Sequence, residues 1–423
     1  MFFDIVSVLI TATAVFSFLN ARHFKLPSTI GVLAISLIFS VLVIAAGKSG
    51  IPSLESTAAD FVGRIDFNRV LLHGLLAYLL FAGGLNLKIR QLSNQKLAIA
   101  LLSTLGIAVS TLIIGGGTWL VLKLVGLPIP PVAALLFGAL ISPTDPVAVL
   151  ALLRTLAIPS SLEAQIAGEA LFNDGVGAVV FTVLLQIATS SLQVNAFDAV
   201  KMLAIEAAGG IGFGLAAGAL TYRLLKQVDN YEVEILLTLA LASGGYALAD
   251  WVGVSAPIAI VVAGLLIGNE GRDRAMSEET RSHLDVFWQV VDEILNAILF
   301  LLIGAELLLV PLNSIYGVVA LIAVPLTLIA RFISVALVVP ILSTFEDVER
   351  GTIPVLTWSG LRGGISVALA LSVPHLGYRD VIVTMTYAVV VFSVIVQGLT
   401  IRSVILRTVP SCQLAEEPKA ASE

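Results

Sequence analysis

Charged residues, histidine and cysteine are all scarce in this chain of 423 residues. Its one cysteine, Cys412, has no second cysteine with which to form an internal disulfide. Four histidines without a His-Glu-x-x-His pair argue against a membrane zinc protease, and the lack of a Gly-x-Ser-x-Gly motif argues against a membrane serine hydrolase. Charged residues make up 12% of the chain, about half of their share in soluble globular domains. The composition argues against a soluble protein, and it predicts no enzymatic activity, no cofactor and no nucleic-acid partner.

Apolar runs instead fill the chain from end to end. Hydrophobic residues make up 58% of it, and the mean hydropathy is +1.02. Because a helix needs about 20 apolar residues to cross a bilayer, these runs predict an all-α polytopic membrane protein. Thirteen candidate spans are predicted, at residues 3–20, 28–46, 68–87, 97–122, 130–153, 162–189, 199–224, 233–250, 255–269, 286–309, 314–342, 352–373 and 381–405.

Lysine and arginine are distributed unevenly between the predicted loops. With thirteen spans the termini lie on opposite sides. An external N-terminus then places fifteen of these basic residues in the inner loops and tail or at the span ends beside them, and six in the outer loops or at the span ends beside those. Cytoplasmic loops of membrane proteins carry the excess of Lys and Arg. We therefore expect an external N-terminus and a cytoplasmic C-terminus, in the plasma (inner) membrane of a prokaryote.

The sixth predicted span contains two carboxylates and an amide, Glu169, Asn173 and Asp174. A charged side chain at the bilayer centre costs at least about 2.5–3.5 kcal/mol, so such residues have partners and usually a function. Helical spacing places Glu169 and Asn173 on one face and rotates Asp174 by about 100° from Asn173. One helix can thus carry a structural pair on one side and a working carboxylate on the other. The alternative is a buried polar network that only positions helices.

The fifth predicted span contains the sequence Ser142-Pro143-Thr144-Asp145-Pro146. Its two prolines remove backbone donors and free carbonyl groups around Thr144. Free carbonyl oxygens together with Asp145 are suitable ligands for a hard monovalent cation. A simple proline kink with a capping aspartate is the alternative.

The twelfth predicted span is also interrupted, by Gly360-Leu361-Arg362-Gly363-Gly364. Its glycines weaken the helix around an arginine at membrane depth. A buried arginine needs an anion, and Glu169 is the predicted partner of Arg362.

The interrupted spans occupy matching places in two halves of the chain. Residues 1–408 form one predicted transporter unit, in which a connecting helix at 199–224 separates repeat one, 3–189, from repeat two, 233–405. The broken span is the fifth of each half, and the two halves have opposite topology. Interrupted segments in corresponding positions of two repeats point to a substrate site at their interface. Residues 409–423 are predicted to be a short cytoplasmic polar tail.

Five segments among the apolar spans follow one another along the chain: Phe81–Asn86, Ser142–Pro146, Glu169–Gly175, Phe300–Glu306 and Gly360–Gly364. Together they resemble the signatures of cation/proton antiporters, specifically the sodium/proton exchanger branch of NhaP type. The resemblance implies an NhaA-like antiporter fold with two inverted six-helix repeats and crossed discontinuous helices. It also implies exchange of sodium or lithium for protons.

The resemblance further implies an ion site where helices 5, 6 and 12 meet. Asp174 would exchange a proton for the cation, and Asp145 and Thr144 would contribute further oxygens to Na⁺. Asn173 matches the Asn of an Asn-Asp pair, which in this branch accompanies electroneutral one-for-one exchange.

An ion pair between Glu169 and Arg362, holding helix 6 against helix 12, is likewise implied by the resemblance. So is a homodimer among membrane lipids, in which a six-helix core shifts against a scaffold to give alternating access. The chain has Ala82 where many relatives have Glu, and Ala170 where some have Ser, at two positions that help to hold the ion in those relatives. Potassium/proton antiport and a cation channel remain as alternatives.

Overall fold

The computed structural model describes residues 2–146, 149–150, 156–189, 196–311, 313–345, 348–374, 377–409 and 413–414. The helices in this part of the chain are α1 (Phe2–Leu19), α2 (Ser28–Lys48), α3 (Pro52–Gly63), α4 (Phe67–Val70), α5 (Leu76–Asn86), α6 (Ile89–Asn94), α7 (Lys96–Leu101), α8 (Ile107–Leu124), α9 (Pro131–Ile141), α10 (Ser160–Thr189), α11 (Ala196–Leu225), α12 (Tyr231–Val252), α13 (Ala256–Leu266), α14 (Arg272–Ala275), α15 (Glu278–Glu306), α16 (Ser314–Leu342), α17 (Thr352–Ser359), α18 (Gly364–Ser372), α19 (Arg379–Phe392) and α20 (Gly398–Thr408). Single turns of π-helix continue several of them, at Asn20–Phe24, Leu71–Leu75, Leu102–Gly106, Ile267–Gly271 and Ser393–Gln397. Two short antiparallel strands are also present, β1 (Leu156–Ala157) and β2 (Gln413–Leu414).

Many of these helices are suited to a membrane. Among the described residues, nine continuous helices are long and apolar enough to cross one, and α17 with α18 forms a broken span bent by 50°. Three shorter apolar helices are α5, α9 and α13 with its π-helical turn. Each predicted span overlaps one of these helices or the broken pair, although the fifth, 130–153, extends well beyond the end of α9 at Ile141. The described chain is thus an all-helical membrane protein, as predicted, whereas the number of helices that cross stays a prediction.

Three regions of the chain either differ from the predicted spans or lie partly outside the described residues. The amphipathic helix α3 is absent from the predicted spans, because its 12 residues include Glu55 and Asp60 and form no long apolar run. In the predicted fifth span, residues 147–148 and 151–153 lie outside the described residues. Most of the predicted tail, 409–423, also lies outside them, although strand β2 in the tail pairs with β1, directly before α10.

Hydroxyl groups connect the helices at close contacts. Ser36 of α2 donates to the carbonyl of Leu301 in α15 at 2.8 Å, and Ser40 donates to that of Gly304 at 2.9 Å. Inside a bilayer, helices associate through close packing and such hydrogen bonds because lipid is as apolar as their surfaces. Comparable packing brings α9, α10, α16, α17 and α18 together in one region of the bundle.

Candidate functional site

The two interrupted segments meet at their breaks. Helix α9 ends at Ile141 and α17 ends at Ser359, and α18 begins at Gly364. Between these ends the backbone N–H of Asp145 donates to the carbonyl of Leu361 at 2.8 Å. Lipid offers no hydrogen bonds to an interrupted backbone. The two breaks therefore provide part of each other's hydrogen bonding.

The local sequence explains why the segment after α9 can approach α10 and the break between α17 and α18 so closely. Pro143 and Pro146 have no backbone N–H to donate, so the helix cannot run on through them. The Asp145 carboxylate occupies the space that a Cβ on Gly363 would need, and the ring of Pro143 occupies the space of a Cβ on Gly177 in α10. The two glycines therefore allow an approach that a larger residue would prevent.

Arg362 forms no ion pair with Glu169, so the predicted pair is wrong. Its Nη1 donates instead to the carbonyls of Ser142 and Pro143, the latter at 2.8 Å, and its side chain is buried. Its backbone N–H donates to the hydroxyl of Ser393 at 2.9 Å. The carbonyls at the C-terminal end of a helix carry partial negative charge. The carbonyl groups at the end of α9 thus supply the negative charge for Arg362, in place of the predicted Glu169 carboxylate.

Glu169 pairs with Arg331 of α16. The contact is bidentate, with Nη1 donating to Oε1 and Nη2 donating to Oε2 at 2.9 Å, and the two side chains are 3% and 5% exposed. Nε and Nη2 of Arg331 also donate to the Leu356 carbonyl of α17, at 3.1 and 2.9 Å. Paired hydrogen bonds of this kind are stronger and more directional than neutral ones. Arg331 therefore joins α10, α16 and α17.

Asn173 is bonded twice to the break after α9. Its Nδ2 donates to Thr144 Oγ1 at 2.7 Å, and its Oδ1 accepts from the Thr144 backbone N–H at 3.3 Å. The side chain of Asn173 is completely buried. An amide can donate and accept at once, which a carboxylate cannot. Asn173 thus holds α10 against the break and fixes the Thr144 hydroxyl.

Asp174 and Asp145 lie near each other at the same contact. Their charges are close enough to repel, and both residues are partly exposed, unlike the neighbouring Asn173. Asp145 also lies beside Gly363, at the N-terminal end of α18. The predicted ligands Asp174, Asp145 and Thr144 are therefore brought together.

The ligands gathered here are oxygen atoms. Two carboxylates, a hydroxyl and backbone carbonyls suit a hard cation. Within the described ranges, no cluster of three or more His, Cys, Asp or Glu side chains could hold a metal ion. Ala82 and Ala170 are buried and have no polar side-chain atom to add. Asp145, Asp174 and Thr144 are therefore the predicted ion-binding residues whose side chains offer oxygen atoms here.

Sequence reasoning missed the roles of Arg331 and Ser393. Arg331 was recognisable as the second arginine inside a predicted span. Sequence spacing could not tell which of two intramembrane arginines reaches Glu169, because they lie on different helices. Nothing in the sequence around Ser393 distinguishes it from other serines in apolar spans.

The amino-acid sequence matches the model of a known protein family. Residues 6–407 match the model of the family described as sodium/hydrogen exchanger, transmembrane. The chain belongs to the sodium/hydrogen exchanger family. Membership confirms the predicted sodium/proton antiport, and it places the chain among transporters that are integral to membranes.

Individual relatives support the same assignment. The chain is 44% identical over 412 residues to the Na⁺/H⁺ antiporter NhaP of Pseudomonas aeruginosa, covering 96% of each chain. It is 31% identical to the Na⁺/H⁺ antiporter NhaH of Halobacillus dabanensis, covering 94% of this chain and 96% of the relative. Its fold is similar to that of the sodium proton antiporter MjNhaP1 from Methanocaldococcus jannaschii, with a TM-score of 0.74 at 20% identity, over 94% of this chain and 100% of that one.

We expect Glu169→Ala and Arg331→Ala each to destabilise the protein strongly. Removing one partner leaves an uncompensated buried charge, which costs about 3–5 kcal/mol in soluble proteins. The double variant should recover part of that loss, measured as thermal stability in detergent.

The exposed pair Arg274–Glu270 is a control, since its side chains are 68% and 53% exposed and such pairs contribute about 1 kcal/mol or less. Arg274→Ala should therefore cost little. Simple additivity of the Glu169 and Arg331 effects would contradict a direct interaction between them.

Proposed function

We propose that this exchanger moves one Na⁺ against one H⁺ through competition of the two ions for Asp174. The observation that supports this is the closeness of Asp174 to Asp145, whose backbone is hydrogen-bonded to the break between α17 and α18. Li⁺, a smaller hard cation, would use the same oxygens. Thr144 contributes its hydroxyl, which the hydrogen bond from Asn173 holds in place.

Charge repulsion is the basis of the competition. Two carboxylates at close range do not both remain ionised without a counter-ion, and their titrations are coupled. A proton on one of them relieves the repulsion, and so does a cation between them. The two ions therefore exclude each other from the site, which is the requirement for obligatory exchange.

One carboxylate, Asp174, alternates between the ions in this mechanism. Asn173 cannot take up a proton, and its amide is already bonded to Thr144. Asp145 lies at the N-terminal end of α18, where a helix favours negative charge. We infer that Asp145 stays ionised and acts as a ligand, so that each turnover carries no net charge.

Alternating access follows from movement of the site past the rest of the bundle. We propose that repeats 3–189 and 233–405 are inverted, that the helices bearing the site move as a six-helix core, and that the scaffold forms a homodimer. An external N-terminus and a cytoplasmic C-terminus, in the plasma membrane of a prokaryote, complete the proposal. The excess of Lys and Arg in the predicted inner loops supports this orientation.

Asp174→Asn should abolish sodium-driven proton flux in proteoliposomes while leaving insertion and thermal stability intact. Asparagine has nearly the same shape as aspartate but neither titrates nor provides a charged ligand. Asp60→Asn, which changes an exposed carboxylate on α3, should exchange like the unmodified protein. Saturable flux in the Asp174 variant, with Na⁺, Li⁺ or K⁺, would show that another residue exchanges the ions.

Exchange should be insensitive to membrane potential, because one cation and one proton move in opposite directions. A potassium/valinomycin potential of either sign would be imposed across proteoliposomes, and sodium-driven proton flux would be measured. Equal rates at both signs are expected. A rate that depends on the sign would rule out one-for-one exchange and make Asp145 the second proton carrier.

A further inference from the structure

Asn296 is a buried polar residue that the exchange site leaves unexplained. It lies on α15 and is 2% exposed. Its Nδ2 donates to Asp292 Oδ1 at 3.1 Å, whereas its Oδ1 has no hydrogen-bond partner among the described residues. Most buried side-chain oxygens in proteins are hydrogen-bonded, and an exception points to an ion, a water or a functional role.

The hydrogen bond to Asp292 fixes the orientation of the amide. An ionised carboxylate can only accept hydrogen bonds, so the nitrogen of Asn296 must face Asp292. The carbonyl oxygen is then directed away from that carboxylate. An oxygen held in this way, without a donor of its own, is available to a cation.

The location of Asn296 relates it to the exchange site. Leu299, one helical turn further along the same face, occupies the space of a Cβ on Gly364, the first residue of α18. The preceding residue, Gly363, makes the equivalent contact with the Asp145 carboxylate. Asn296 therefore lies one turn of α15 from the helix end that carries the site.

Asp292 continues this polar face in the direction away from the break. It lies one turn before Asn296, nearer the end of α15 that begins at Glu278, which is the cytoplasmic end in the orientation proposed above. Glu293, its neighbour in sequence, is exposed and accepts from Gln289 at 3.1 Å. Adjacent carboxylates on α15 thus have different environments, because Asp292 accepts from the buried Asn296 whereas Glu293 accepts from Gln289.

We propose that Asn296 Oδ1 is a transient ligand for Na⁺ on its way between the cytoplasmic end of α15 and the Asp145–Asp174 site, and that Asp292 orients this amide. The proposal rests on the assignment of Asp145 and Asp174 as the ion site. A neutral amide oxygen attracts a partly dehydrated cation without holding it tightly, as a site that ions pass must do. Asn296 would thereby influence both the apparent sodium affinity and the choice between Na⁺, Li⁺ and K⁺.

The test compares Asn296→Leu, which removes the oxygen, with Asn296→Asp, which keeps the shape and adds charge. Sodium-driven proton flux in proteoliposomes gives KM and maximal rate, and thermal stability in detergent is measured in parallel. Asn296→Leu should raise the KM for Na⁺ about tenfold with unchanged stability, and Asn296→Asp should keep or lower it. Asn296→Ser, which retains a smaller oxygen, should fall between them, and it carries the test if the leucine variant does not fold.

Glu293→Gln is the matched control and should behave like the unmodified protein. A KM within twofold of the unmodified value in Asn296→Leu, or in Asn296→Ser if it takes its place, overturns the proposal. So does an equal rise in KM in the leucine and aspartate variants, because that result indicates a packing role. Absence of sodium-driven flux in the unmodified protein and in Glu293→Gln would instead contradict the proposed function, so the two failures can be told apart.

Discussion

The hydrogen bond from the Asp145 backbone to the Leu361 carbonyl joins the segment that follows α9 to the break between α17 and α18. Each break exposes backbone groups that lipid cannot satisfy, so neither segment is expected to be stable without its partner. Arg362 extends the same arrangement, since its guanidinium group binds the carbonyls of Ser142 and Pro143 that the first break leaves free. The position of Asp145, and with it the geometry of the site, depends on this crossing.

The distribution of charge around the crossing separates structure from chemistry. Glu169 is neutralised by the bidentate contact with Arg331, and Arg362 is bound to the end of α9. Arginine suits both places because its planar group makes several directed hydrogen bonds without losing its charge. Asp145 and Asp174 are the other two carboxylates at this contact, and in the proposed function their mutual repulsion is the basis of ion exchange.

The character of the contacts also agrees with a site that moves. Helices α9, α10, α16 and α17 are connected by buried polar contacts, among them Asn173 with Thr144 and Arg331 with both Glu169 and Leu356. Between α15 and the start of α18, the contact is made by the apolar side chain of Leu299 against a glycine. Directed hydrogen bonds resist sliding, whereas an apolar side chain against a flat backbone surface does not. The polar contacts named here thus join the helices that carry the site to each other, whereas the contact named with α15 is apolar.

The membrane class, the approximate positions of most helices and the residues that meet at the site could be predicted from the amino-acid sequence. Apolar runs, two proline and glycine interruptions and carboxylates at membrane depth are local features, and each has a direct cost or preference in a bilayer. The short helix α3 was not predicted, because its mixed composition resembles that of a loop. The partners of the two arginines, Glu169 for Arg331 and the end of α9 for Arg362, are evident only in the tertiary structure. Both arginines lie in apolar segments, and either could neutralise a carboxylate. Which of them binds Glu169 depends on which helices pack side by side, and no local sequence pattern predicts that packing.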